Sequence, residues 1–96
     1  KQRDLVKTVL RRRPDRGAGL YYVFNVVDGD TLEVVDGGGV RTRVRLASTD
    51  APELREPGGF EARDALFERL YQRVVRLSPR ARDAYGRVVA DVEPAD

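Results

Sequence analysis

Apolar residues alternate with polar ones along much of this chain, and in one stretch they fall at helical spacing. Tyr21 to Val27 is aromatic and β-branched, and Thr31 to Asp36 alternates through Leu32 and Val34, so two strands are predicted around the turn Asp28-Gly29-Asp30. Asp36-Gly37-Gly38-Gly39 makes a second hairpin turn. Val40 to Ala47 then alternates strictly, which puts Val40, Thr42, Val44 and Leu46 on a core face and Arg41, Arg43 and Arg45 on a basic face. Ser48 to Gly59 carries Pro52, Pro57 and Gly58-Gly59 and is predicted to be a loop. Ala62, Leu66 and Leu70, flanked by Phe67 and Tyr71, predict one amphipathic helix over Phe60 to Tyr71. Arg73 to Ser78 is predicted as a short strand, Pro79 to Gly86 as a basic polar loop, and Arg87 to Glu93 as a last strand with Val88, Ala90 and Val92 facing the core. Ahead of all these, Leu5, Val6, Val9 and Leu10 have helical spacing before Arg11-Arg12-Arg13-Pro14 and Gly17-Ala18-Gly19 break it.

The order β-β-β-α-β-β is mainly β with one helix. It is the element order of the OB-fold, a five-stranded, partly open barrel whose exposed strands and loops commonly bind nucleic acid. Two parts are expected: a basic arm or short helix over residues 1–20, and the barrel over residues 21–96. At 96 residues there is room for one such domain and little more.

Charge changes the picture of the arm more than of the barrel. The overall +2 divides into seven basic against two acidic residues in 1–20, a net of +5, and eleven arginines against fourteen carboxylates in 21–96, a net of −3. The triple arginine reads first as a solvated basic arm and second as a phosphate contact. No apolar run approaches the roughly 20 residues of a membrane span, so no membrane partner is expected.

Composition narrows the chemistry sharply, because the chain has no Cys, His, Met or Trp. Disulfides, thiol nucleophiles, cysteine-based zinc sites and imidazole general bases are excluded. Any catalysis is left to carboxylates, Arg, Lys, Tyr or a hard metal ion held by oxygen.

Taken singly, Asp28-Gly29-Asp30-Thr31 is an ordinary hairpin turn, Asp50-Ala51-Pro52-Glu53 an ordinary acidic turn and Tyr85-Gly86-Arg87 an ordinary strand entry. Together, in this order and on this element pattern, they carry more. Val27-Asp28-Gly29-Asp30-Thr31, then Arg45-Leu46 leading into Asp50-Ala51-Pro52-Glu53, then Asp83-Ala84-Tyr85-Gly86-Arg87 resembles the staphylococcal nuclease (thermonuclease) family over about Tyr22 to Val92. Gly59-Phe60-Glu61-Ala62 also resembles the start of the family's helix.

The resemblance implies a Ca²⁺-dependent endonuclease that hydrolyses DNA and RNA with little sequence preference, acts on single-stranded or unwound substrate and leaves 3′-phosphates. It implies Asp30, Asp50 and the main-chain oxygen of Ala51 as Ca²⁺ ligands. Glu53 would orient or deprotonate the attacking water, and Arg45 and Arg87 would grip the scissile phosphate. Tyr85 would contact a nucleotide phosphate, with an aromatic lid on the barrel mouth as the equal alternative. Arg41, Arg43, Arg80 and Arg82 are read first as ion-pair partners and second as an extended phosphate track. From a different class, the alternative is a non-catalytic OB-type module that binds nucleic acid or protein, with the acidic and basic residues forming a salt-bridge network. The sequence specifies no compartment, and the resemblance is compatible with a secreted one.

The chain departs from the family in three ways. Family members continue past the fifth strand with further helices and stacking aromatics, so apolar barrel surface is expected to be covered by the N-terminal helix or by a second subunit of a homo-oligomer. Ser48-Thr49 stands where an apolar residue often precedes the aspartate, and Ala84 where a Lys often precedes the tyrosine.

Overall fold

A computed structural model describes residues 19–95. The expected N-terminal helix lies outside the described residues. Strands β1 (Leu20–Asp28), β2 (Thr31–Val35) and β3 (Arg41–Leu46) precede the helix α1 (Gly59–Leu70), and β4 (Val74–Arg82) and β5 (Val88–Pro94) follow it. They close into a barrel in the order β1-β2-β3-β5-β4. Over the described residues, this mainly β barrel with a single helix is the OB-fold arrangement that the element order predicts.

The two hairpins form where the turn residues allow them. Asp28 faces Thr31 across the first turn. In the second, the Asp36 carboxylate accepts hydrogen bonds from the backbone N–H groups of Gly38 and Val40, both at 2.9 Å, closing the turn with a side chain. Closure needs one strand pair that no hairpin can supply. β3 and β5 run parallel, with Val44, Arg45 and Leu46 opposite Val88, Val89 and Ala90, and a parallel pair requires a long crossover. The loop after β3, the helix and β4 provide it. β1 reaches both β2 and β4 because it bends, with register shifts between Val23 and Asn25 and between Val26 and Asp28.

Val23, Val26, Leu32, Val34, Val44, Val75 and Ala90 fill the barrel and are essentially solvent-free. Leu66 and Leu70 of α1 join them, with Phe67 and Tyr71 packed at the edge of the same cluster. The helix therefore plugs one end of the barrel, where its apolar stripe is buried.

Two boundaries differ from the sequence reading, for identifiable reasons. β4 continues through Pro79 to Arg82, residues expected to be loop, because an irregularity between Pro79 and Ala81 absorbs the proline without ending the ladder to β5. Val40, expected on the core face, is 61% exposed. It lies ahead of β3, where no β5 residue stands opposite, so alternation does not turn it inward.

Two glycines fix the loop between β3 and α1. A Cβ on Gly29 would come within 2.6 Å of the Ala51 Cβ and 2.7 Å of the Ala62 Cβ, so the first turn, the loop and the helix meet at that point. A Cβ on Gly59 would collide with the carbonyl oxygens of Glu53 and Leu54. Only hydrogen side chains permit these approaches. Among the described residues no helix is long and apolar enough to cross a membrane.

Candidate active site

One end of the barrel gathers the β1–β2 turn, the end of β3 with the loop after it, and the β4–β5 turn. Asp30 sits in the turn just ahead of β2, 7% exposed, and its neighbour Thr31 is 2% exposed. A buried carboxylate needs compensating donors, and Asp30 has three. The Thr31 hydroxyl donates to its Oδ1 at 3.0 Å, the Ala51 backbone N–H donates to its Oδ2 at 3.3 Å, and the Arg45 Nη2 reaches its Oδ2 at 3.5 Å.

Arg45 projects from β3 with its side chain three-quarters buried. Its Nη1 donates to the Leu46 carbonyl at 3.0 Å, which anchors the guanidinium, and its Nη2 also reaches the Asp50 Oδ1 at 3.4 Å. Asp50 is held by little else, since its side chain is 96% exposed. The Asp50 to Arg45 pair therefore adds little stability. It does bring two carboxylates onto one guanidinium nitrogen.

Arg87 comes from the turn between β4 and β5. Asp83 organises it: the carboxylate accepts from the Arg87 Nε at 2.6 Å, from the Arg87 backbone N–H at 2.9 Å and from the Tyr85 backbone N–H at 2.9 Å. The Arg87 Nη1 donates to the Thr31 hydroxyl oxygen at 3.0 Å. Thr31 thus accepts from Arg87 and donates to Asp30, which uses the hydroxyl in both capacities. A continuous line runs Arg87, Thr31, Asp30, Arg45, Asp50.

Sequence reasoning assigned no role to Thr31 or Asp83, although both stand inside quoted motifs. Asp83 is four residues ahead of Arg87 across a tight turn, a spacing that signals a pair only once the turn is known. Thr31 carried no signal for its link to Arg87, because that donor is 56 positions away.

Glu53 stands apart from the line. Its backbone N–H bonds the Glu56 Oε1 at 2.7 Å, its side chain is exposed, and among the described residues that side chain has no partner. No three acidic side chains form a metal-binding group among the described residues. Tyr85 is 86% exposed with the Arg87 guanidinium 5.5 Å from its ring centroid, so the ring stands at the rim of the site and does not close the barrel as a lid.

Two carboxylates here ionise away from their ordinary range. Burial raises the Asp28 carboxyl, and the neighbouring Asp30 carboxyl adds to the rise; the hydrogen bond that Asp28 accepts from the Asp30 backbone N–H opposes it. Partial burial works against the charged form of Asp83 too, but the hydrogen bonds from Arg87 and Tyr85 outweigh it and hold that carboxyl below the usual range. For Asp28 the sign follows directly. A raised carboxyl costs stability once it ionises in the folded state, and the cost vanishes where both states are protonated. Asp28→Asn, which keeps the oxygen that accepts from Asp30, is expected to melt at a higher temperature than wild type near neutral pH. The gap should close as pH falls toward 3.8, the ordinary carboxyl value, in melts followed by circular dichroism. A gap that persists at low pH would show that the gain is not electrostatic.

Residues 43–95 match the model of the family described as "Staphylococcal nuclease homologue". The chain belongs to this family. The matched residues include Arg45, Asp50, Ala51, Glu53, Tyr85 and Arg87, while Asp30 precedes them and reaches the site through the barrel. The chain is 39% identical over 70 residues to an uncharacterized endonuclease of Haemophilus influenzae, an overlap of 73% of this chain and 39% of that one. It is 42% identical over 71 residues to protein ParB of Escherichia coli, with 73% and 39% covered. To a micrococcal nuclease of Shigella flexneri it is 36% identical over 70 residues, with 73% and 40% covered. The chain therefore spans about two-fifths of the length of these relatives.

Proposed function

We propose that this member of the staphylococcal nuclease homologues is a metal-dependent endonuclease that hydrolyses phosphodiester bonds in DNA and RNA. The observation that carries this reading is the line of alternating charge at the barrel mouth, in which Arg45 reaches the buried Asp30 directly and Arg87 reaches it through Thr31. Preorganised cations of this kind stabilise charge that develops on a phosphate in the transition state, without reorganising at the moment of reaction. Endonuclease and micrococcal nuclease names among the relatives support the same chemistry.

The donor set suits a hard divalent cation. Asp30 and Asp50 offer carboxylate oxygens that already converge on one cationic nitrogen, and hard oxygen donors are what Ca²⁺ takes. On this reading Asp30, Asp50 and the Ala51 carbonyl would hold Ca²⁺, which supplies positive charge beside the phosphate. Arg45 and Arg87 bind the non-bridging phosphate oxygens through their guanidinium forks. Glu53, exposed and unpaired, accepts a proton from the attacking water, a task that falls to a carboxylate in a chain without histidine. Tyr85 contacts a neighbouring phosphate from the rim. By family resemblance the bond to the 5′-oxygen breaks, leaving 3′-phosphates. Contacts to phosphate rather than to base edges carry no sequence preference.

The direct test is incubation of the folded chain with denatured DNA and Ca²⁺. Chelator-sensitive cleavage with 3′-phosphate ends is the expected result. Intact DNA in the presence of folded protein and Ca²⁺ would leave a binding module in place of the enzyme.

A further inference from the structure

A second feature opens beside the Arg87 turn. β3 begins at Arg41, yet β5 stands opposite it only from Val44 onward, while β4 runs on to Arg82. The start of β3 and the end of β4 therefore enclose a groove of about 680 Å³ with an apolar floor that includes Tyr21, Leu77 and Val88. Arg41, Arg43, Arg80 and Arg82 line it, and none of its lining residues is acidic. That is notable in residues 21–96, whose net charge is −3.

The four arginines are not equivalent. Arg43 pairs with Glu33 at 3.0 Å and Arg80 with Asp91 at 2.7 Å. Arg41 and Arg82 have no carboxylate partner among the described residues. Arg41 instead lies 5.0 Å from the Phe24 ring centroid, and the Arg82 Nη1 donates to the Gly86 carbonyl at 3.1 Å. Each is held in place by a neutral group and makes no direct ion pair among the described residues, so most of its five N–H donors stay unused, although the Arg41 charge still acts on the Glu33 carboxylate from beyond contact distance. Gly86 lines the groove and immediately precedes Arg87, so the groove reaches to within one residue of the arginine that the nuclease reading places on the phosphate.

We propose that this groove receives the single strand leading away from the scissile phosphate, with unpaired bases on the Tyr21 floor and backbone phosphates on Arg41 and Arg82. The proposal rests on the nuclease reading for the position of the scissile phosphate. Its volume lies in the range of pockets that hold one compact ligand group, roughly 300 to 1,000 Å³, which suits an unstacked nucleotide and not a duplex. A cationic rim over an aromatic and apolar floor is the arrangement by which proteins hold single strands without reading sequence. An acidic polypeptide would use the rim and gain nothing from the floor.

The test is fluorescence anisotropy of a labelled twelve-nucleotide single-stranded DNA, titrated in chelator so that nothing is cleaved, at several salt concentrations. Arg41→Gln with Arg82→Gln is expected to weaken binding about tenfold or more at low salt and to flatten the slope of log affinity against log salt by about 0.7 for each lost phosphate contact. Arg41→Gln alone, remote from the Arg87 turn, should give about half of that change in slope. Unchanged affinity in the double variant overturns the proposal, as does a duplex that binds as tightly as the single strand. Competition by polyglutamate equal to that of the oligonucleotide overturns the choice of nucleic acid. Wild-type protein that binds the oligonucleotide but never cleaves it in Ca²⁺ overturns the nuclease reading alone, since the loss of binding in the arginine variants would still place a strand in the groove.

Discussion

Replacing Glu53 with Gln is expected to reduce Ca²⁺-dependent cleavage of denatured DNA by about 10² to 10⁴-fold, the range that a positioned general base contributes, while leaving the melting temperature almost unchanged. The separation of the two effects follows from where Glu53 sits. Its carboxylate is exposed and has no partner among the described residues, and what fixes the loop is its main chain: the N–H bonds Glu56, the carbonyl accepts from the Glu56 backbone N–H at 2.9 Å, and Gly59 packs beneath it. Amide for carboxylate at such a surface position costs within about 0.5 kcal/mol of stability. Cleavage rates and thermal melts on the same preparations decide the matter. A variant that cleaves at the wild-type rate would remove Glu53 from the reaction and leave the water to be activated by another carboxylate.

Arg87→Ala is expected to affect both quantities. Cleavage should fall by about 10² to 10³-fold, the loss seen when one preorganised charge donor is removed from a developing oxyanion. Stability should fall as well, because Asp83 and the Thr31 hydroxyl lose their donor together, and an orphaned polar group costs about 1 to 3 kcal/mol when buried. That cost falls on the buried Thr31 hydroxyl, while at Asp83, whose side chain is 18% exposed, water replaces part of the loss. The pH dependence identifies the cause. Asp83 has a carboxyl lowered in the folded state, so the stability it contributes is present above the ordinary value of 3.8 and is lost as pH falls through the lowered one. The melting gap between wild type and Arg87→Ala should therefore be constant at neutral pH and shrink in acid below 3.8. Arg87→Lys should recover little, because one ammonium cannot hold Asp83 and Thr31 and still present a planar fork to phosphate. Full rescue by lysine would mean that charge alone, without the fork, is what the site requires.

Much of this architecture was legible in the order of residues. The strand pattern placed Val44, Leu46 and Ala90 in the core, and the 3.6-residue spacing placed Leu66 and Leu70 there. Hairpin turns announce themselves through Asp and Gly, whose conformational needs are local. The separated motifs that resemble the nuclease family were legible for a similar reason, since each is a short run read without knowledge of its partners.

What stayed hidden was long-range. No local rule pairs β3 with β5 in parallel, and that pairing determines both where Arg45 meets the barrel mouth and where Arg41, paired with β2 on one side, has no β5 residue on the other. Pro79 looked like a strand terminator because its missing N–H is a local fact, while the irregularity that tolerates it belongs to the β4–β5 ladder. Val40 looked inward by alternation, but alternation assigns a face only where a sheet exists on both sides.

The sequence by itself determined the element order, the apolar set that fills a small barrel, and an inventory of chemistry without thiols or imidazoles, left to carboxylates, Arg, Lys, Tyr or a metal ion held by oxygen. Only the tertiary structure decided that Thr31 links Arg87 to Asp30, that Asp83 holds Arg87 from behind, and that Arg41 and Arg82 flank a groove without a direct ion pair among the described residues. The reason is physical. Side-chain periodicity records which residues leave water, a property of each position and its neighbours, whereas hydrogen bonds between residues far apart in sequence depend on how the closed barrel aligns its strands.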